Sequence, residues 1–127
     1  MNQRIALGLT LLAGIAIGAF AVNGLNAQGK PPGAYAVVDI SEIADQKTFD
    51  QIPPKAGPAN EAFGGKYVIR TNNLTSLDGT APKRFVVIAF DSAEKAKAWD
   101  NSPAQKEIND LRKKSTKSRV FIADGAM

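Results

Sequence analysis

Residues Phe85 to Pro103, F-V-V-I-A-F-D-S-A-E-K-A-K-A-W-D-N-S-P, put a continuous apolar run directly against a capped helix. Six apolar residues in a row, Phe85 to Phe90, read as a strand covered on both faces. Asp91 is placed to cap the helix that follows, with Glu94 at the third helical position, as in a capping box. Ser102-Pro103-Ala104-Gln105 repeats the device: Ser caps, Pro opens and Gln reaches back. The chain therefore leaves a buried strand for a helix that breaks near Asn101 and restarts. Such a unit needs a sheet to lie in and a helical layer to cover it.

The remaining elements fall on either side of this unit. Ala34 to Ile40, A-Y-A-V-V-D-I, reads as a first strand with Tyr35, Val37 and Asp39 on one face. From Asp45 a helical stripe runs through Phe49, Ile52, Ala56, Ala59 and Phe63. Pro53, Pro54 and Pro58 interrupt it, which predicts a broken helix with Pro58 near the start of its second piece. Gly64-Gly65 ends that helix with a left-handed cap. Lys66 to Arg70 is the second strand, and Asp78-Gly79 turns the polar connection that follows. After the opening unit, Ile108 and Leu111 form the buried side of the restarted helix. Arg119 to Ala123 is the last strand.

Strand, helix, strand, strand, helix, strand is the order of a ferredoxin-like βαββαβ domain of the α+β class. It has a four-stranded antiparallel sheet with two broken helices on one face. The other face is left open. Tyr35, Val37, Tyr67, Ile69, Val87 and Phe121 are candidates for an apolar surface there, depending on register. A monomer rarely exposes such a patch, and two copies packed sheet to sheet would cover it.

Ahead of this domain lies a segment of a different kind. Arg4 is followed by an almost wholly apolar run from Ile5 to Val22, and then by a polar exit. Residues 1–27 read as a secretory signal peptide, with cleavage after Ala21 or, in more polar surroundings, after Ala27. The run just reaches the length of a bilayer span, so an uncleaved anchor through residues 5–22 is the alternative. Residues 28–33 then form a Pro/Gly linker, and residues 34–127 a single domain. A cleaved leader implies a periplasmic or secreted protein, and a retained one an inner-membrane anchor.

The sequence contains neither cysteine nor histidine. This excludes disulfides, a lipoprotein anchor, thiolate or Ser-His-Asp catalysis, and Cys/His zinc sites. Nothing in the pattern calls for a cofactor or a metal. Of 16 basic residues only Arg4 leaves with the leader, against 12 acidic ones. The residual excess gathers at Arg112, Lys113, Lys114, Lys117 and Arg119, where a helix C-terminus favours cations. A nucleic-acid surface would need a larger patch with interleaved aromatics, so no nucleic-acid partner is expected.

The mature chain resembles one bacterial family, domain of unknown function 1330, of the dimeric α/β-barrel superfamily. The resemblance rests on A-Y-A-V-V-D-I at 34–40, A-F-G-G-K-Y-V-I-R at 62–70 and L-D-G at 77–79. It continues in K-R-F-V-V-I at 83–88, F-D-S-A-E-K-A-K-A-W at 90–99 and N-S-P at 101–103. It implies a ferredoxin-like protomer pairing into a barrel-like homodimer, and no established activity. The chain also departs from that pattern. Arg70-Thr71-Asn72 stands where relatives usually read Arg-Gly-Gly, and Ala89 stands where they carry glutamate. A second glutamate is missing near Thr75 or Ala104. Asp100 and Gln105 stand where the relatives' W-Y-x-S-P-E-Y has its two tyrosines.

The residues left to carry chemistry are few. Asp39 and Arg70, on two strands, could pair and anchor a carboxylate or enolate. Trp99, Tyr35 and Tyr67 complete the ligand-pocket candidates, with core packing as the alternative role for Trp99. Three function classes stay open. The first is a small-molecule binding module in a dimeric barrel, whose interior holds an apolar or acidic ligand. The second is a cofactor-independent monooxygenase or isomerase. The third is a structural or stress-related exported protein with no ligand. The sequence favours the first.

Overall fold

The computed structural model describes residues 31–126. The expected leader, both cleavage points, the alternative anchor, the first part of the linker and Met127 lie outside the described residues. Among the described residues, no helix is long and apolar enough to cross a membrane.

Four strands and four helical pieces make up the described residues. They are β1 (Ala34–Ile43), α1 (Gln46–Phe49), α2 (Pro53–Glu61), β2 (Lys66–Thr71), β3 (Arg84–Phe90), α3 (Ala93–Asn101), α4 (Pro103–Ser115) and β4 (Thr116–Asp124). The sheet order is β2-β3-β1-β4, and neighbouring strands run antiparallel throughout. Each helical crossover skips one strand, so this is the expected ferredoxin-like sheet. Gly33, the end of the expected linker, is already tied in: its carbonyl accepts a hydrogen bond from the Gly125 N–H at 3.0 Å.

Both helical regions break as expected, but the local chemistry differs. Asp45 caps α1 through the Thr48 hydroxyl, at 2.7 Å, and the Thr48 N–H, at 3.1 Å. These bonds hold its carboxyl below the usual carboxylate range. The stabilisation they bring is present above the unfolded-state value and is lost as pH falls through the folded one. Pro53, not Pro58, opens the second piece, and Pro58 lies inside α2. Proline is tolerated at a first helical position because its missing N–H is unneeded there. Pro58 has no such excuse and leaves the Pro54 carbonyl without a helical partner. Gly64 adopts φ +73°, the left-handed turn expected of it, and the Gly65 N–H returns to the Asn60 carbonyl at 2.9 Å.

The cap of α3 is Ser92, whose hydroxyl accepts from the Lys95 N–H at 3.2 Å. Asp91, the expected cap, lies one residue too early and pairs instead with the Lys95 ammonium at 3.2 Å on the surface. Ser92→Ala is therefore expected to cost about 1 kcal/mol, and Asp91→Ala only about 0.3–0.5 kcal/mol. Urea midpoints in the reverse order would restore Asp91 as the cap. Ser102 does cap α4, accepting from the Gln105 N–H at 3.3 Å while donating to the Trp99 carbonyl at 2.7 Å. Gln105 does not reach back. Its side chain turns away toward Asn109.

Register decides which residues face the helices. Ala36, Ile88 and Ile122 align with Tyr67, and Val38 aligns with Val86, Val120 and Arg70. Ala36, Val86, Ile88 and Phe90 from the sheet pack with Ala96 and Trp99 of α3 to form the core. Ile108 is buried beside them, and Leu111 is half-buried. On the opposite face Ile69, Val87, Val37 and Phe121 form one apolar row across all four strands. Phe121 is 45% exposed and Ile69 42%.

Tyr67 was expected on that open face, and the structure moves it. The β2–β3 register shifts between Tyr67 and Ile69. Val68 is therefore an extra residue, a β-bulge that reverses the alternation after it. Tyr67 and Arg70 consequently share the helix-covered face, three residues apart, while Ile69 faces outward. A second irregularity, between Ile40 and Glu42, accompanies the extension of β1 to Ile43. The last strand likewise begins three residues earlier than expected, at Thr116.

Candidate functional site

A cavity lies between the helices and the covered face of the sheet, with about 70 Å³ open to water-sized molecules. A single water needs roughly 10–15 Å³ of such space, so several waters or a small organic group would fit. Val38, Ile40, Val86 and Ile88 line it from the sheet, and Phe49, Ile52 and Ile108 from the helices. These are the apolar positions that the helical stripe and the strand alternation place inward.

Polar groups enter this apolar chamber at defined points. Asn60, on the same side of α2 as the stripe, is 3% exposed. Its Oδ1 accepts a hydrogen bond from Trp99 Nε1 at 2.9 Å. Trp99 is 1% exposed and packs against the Phe90 ring, with centroids 5.3 Å apart at 45°. From α4 come Gln105 and Arg112, 5% and 8% exposed and on the Ile108 side by three-and-four spacing. Gln105 Nε2 donates to Asn109 Oδ1 at 3.2 Å, and Asn109 Nδ2 donates to Asp100 Oδ1 at 3.0 Å. Arg112 Nη1 donates to Ser118 Oγ at 2.7 Å. Burial pushes the Arg112 guanidinium below its ordinary value, and the Asp100 charge opposes that push. Arginine is charged at neutral pH even so.

Two further arginines line the chamber. Arg70 lies over the Tyr67 ring, 4.6 Å from its centroid. Arg84 approaches the Phe49 ring at 6.0 Å and is held by Asn72 Oδ1 at 2.8 Å. Among the described residues, no aspartate or glutamate lines the cavity. Its field is therefore positive, and an anion is the charge it favours.

Of the five residues proposed from sequence, Tyr67, Arg70 and Trp99 line this cavity. Asp39 and Tyr35 lie on the open face, aligned through Phe85 and Ala89 of β3. Asp39 does not pair with Arg70, because the two occupy opposite faces of the sheet. Its partner is Arg119, Nε to Oδ2 at 3.0 Å. The chamber lies within one protomer, beneath its own helices. Asn60, Arg84, Gln105 and Arg112 were missed. A signal existed for Gln105 and Arg112, which flank Ile108 at helical spacing. Each also had a sufficient local reading, as a cap partner and as a cation at a helix end. Among the described residues no group of three or more Asp or Glu is placed to hold a metal ion.

Comparison with known proteins agrees with this architecture. The family model described as Domain of unknown function (DUF1330) matches residues 33–126. No curated protein matches the chain. Among solved structures, a protein of unknown function from Rhodopseudomonas palustris is similar at 13% identity and a TM-score of 0.63, over 84% of this chain and 92% of that one. SnoaB, described as a cofactor-independent oxygenase from Streptomyces nogalater, is similar at 12% identity and a TM-score of 0.52, over 76% and 95% of the two chains. A protein from Bacteroides fragilis, described as dimeric, of unknown function and ferredoxin-like in fold, is similar at 11% identity and a TM-score of 0.50, over 72% and 94%. At these identities the likeness establishes the fold.

Proposed function

This chain belongs to the DUF1330 family, a domain of unknown function, and from that premise we propose that it is a small-molecule binding module acting as a homodimer. The observation that carries the reading is the apolar-walled cavity between helices and sheet, with Arg70, Arg84 and Arg112 in its lining. Ligand sites combine such walls with a few placed polar groups. The apolar row Ile69, Val87, Val37 and Phe121 supports self-association, and so does the Bacteroides fragilis neighbour, which is described as dimeric. We carry the leader into the proposal as well: cleaved, it releases the module outside the cytoplasm, and retained, it holds the module at the inner membrane. The intact mass of the exported protein reads which of the two occurs.

A cofactor-independent monooxygenase or isomerase is the second reading, favoured by the oxygenase among the structural neighbours. The lining argues for binding over turnover. Apart from the three arginines, its one titratable side chain is Tyr67, so all acid–base work would fall to that phenol. A ligand-free structural role leaves the cavity unexplained.

Trp99 is the sole tryptophan and stands in the cavity wall, so its fluorescence reports occupancy. A ligand at a hundred times its dissociation constant stabilises by about 2.7 kcal/mol, which raises the melting temperature of a domain this size by roughly 10 °C or more. A metabolite library screened by thermal shift and Trp99 fluorescence is expected to return small, apolar-bodied compounds. No response from any compound would sink the binding and the enzyme readings together.

A further inference from the structure

Three side chains in the chamber each carry one polar atom that makes no hydrogen bond among the described residues: Asn60 Nδ2, Gln105 Oε1 and Arg112 Nε. All three residues are more than nine-tenths buried, and all three line the same cavity. Buried polar groups are paired in the great majority of cases, because one left unmet gives up its hydrogen bonds to water for nothing in return. Three residues of one cavity lining that each hold such an atom point to a polar occupant.

Their orientations are fixed from behind. Trp99 Nε1 can only donate, so Asn60 must turn Oδ1 toward it, which leaves Nδ2 as the free group. An ionised Asp100 can only accept, so Asn109 turns its Nδ2 to Asp100 and its Oδ1 to Gln105. Gln105 must therefore present Nε2 to Asn109, which leaves Oε1 free. Arg112 is anchored by the Ser118 hydroxyl through Nη1. The unmet set is thus two donors, one of them on a cation, and one acceptor.

We propose that this set recognises a small organic acid that carries a hydroxyl group on an apolar body, a proposal that rests on the binding reading above. Arg112 Nε and Asn60 Nδ2 donate to the carboxylate, and Gln105 Oε1 accepts from the hydroxyl. The ligand must be an anion because, among the described residues, three arginines and no carboxylate line the chamber. The donor that meets Gln105 must be uncharged, since a cationic amine would be repelled by those arginines, and a hydroxyl is the smallest such group. The body must be apolar and no larger than a short branched chain or a single ring, given about 70 Å³ bounded by Phe49, Ile52 and Ile108. The open face of the sheet plays no part in this recognition.

Matched probes test each element separately. Titrations of the full chain, read by calorimetry and by Trp99 fluorescence, would compare 2-hydroxy-4-methylpentanoate with 4-methylpentanoate and with the methyl ester of the hydroxy acid. Mandelate, phenylacetate and methyl mandelate form a second set with a ring. In at least one set the hydroxy acid is expected to bind at least tenfold more tightly than both its partners. Gln105→Met, which keeps volume and removes the acceptor, should collapse the preference for the hydroxyl to near unity. The Arg112 Nε–H and Asn60 side-chain amide resonances should shift on binding, a readout that does not depend on any variant folding. If esters bind as tightly as acids, or if hydroxyl discrimination is absent in both sets, the assignment falls and the binding reading stands. If neither these compounds nor neutral apolar ones bind, the binding reading falls as well.

Discussion

Trp99→Ala is expected to lower the unfolding free energy by about 3–5 kcal/mol, a large share of the roughly 5–15 kcal/mol that holds a domain of this size together. The side chain is 1% exposed and bridges two layers. Its ring packs on Phe90, whose own exposure is 1%, while its Nε1 holds Asn60 of α2 at 2.9 Å. Truncation removes the apolar burial, enlarges the neighbouring cavity and leaves Asn60 Oδ1 buried without a donor. Trp99→Phe separates these effects, since it keeps most of the bulk and loses only the donor, for about 1–3 kcal/mol. Urea unfolding followed by far-ultraviolet circular dichroism measures both variants, which no longer contain a tryptophan. A loss under about 1 kcal/mol for the alanine variant would show that the helices do not depend on this contact.

Phe121→Lys is expected to turn the proposed dimer into a monomer, raising the dimer dissociation constant at least a hundredfold. Phe121 and Ile69 stand at opposite ends of the apolar row and are the exposed members of it, while Val37 and Val87 are 8% and 7% exposed between them. A two-fold axis through this face places the substituted ammonium inside the contact. There it must be desolvated beside Arg119, whose guanidinium now lies 5.7 Å from the Phe121 ring. Lysine is the sharper choice, because a carboxylate at this position could pair with Arg119. Sedimentation equilibrium decides the matter. A wild-type protein that stays monomeric at high micromolar concentration would overturn the sheet-to-sheet proposal.

Element order was legible because each transition is written in local chemistry. The stripe from Phe49 to Ala59, the left-handed Gly64 and the Ser102-Pro103 restart all act within a few residues. Errors arose where a feature depends on the count of residues, not their kind. Asp91 and Ser92 are both competent caps, and only the last turn of the backbone selects Ser92. Tyr67 was assigned to the wrong face because a strand's alternation can be read only if no residue is extra. The same limit applies to the chamber. Trp99, Arg70 and Tyr67 drew notice as large or charged residues in apolar segments. Gln105 and Arg112 did not, because their local roles in capping and in the helix dipole already accounted for them. What makes them informative is a missing partner, and absence of a partner is a property of three dimensions.

Val68 gives this domain a mode of change that substitution does not offer. The faces of its neighbours are set by pairing with β3, Tyr67 opposite Ile88 and Ile69 opposite Val87, and Val68 is absorbed between them. Loss of that one codon, in frame, would leave Tyr67 opposite Ile88 and Ile69 opposite Val87 in plain alternation, so both would keep their present faces. The arginine would then stand two positions from the ring and still share its face, and only the strand's local bend and added twist would go. A lineage could therefore gain or lose this residue and keep both its chamber lining and its outer apolar row, changing the bend of the edge strand alone.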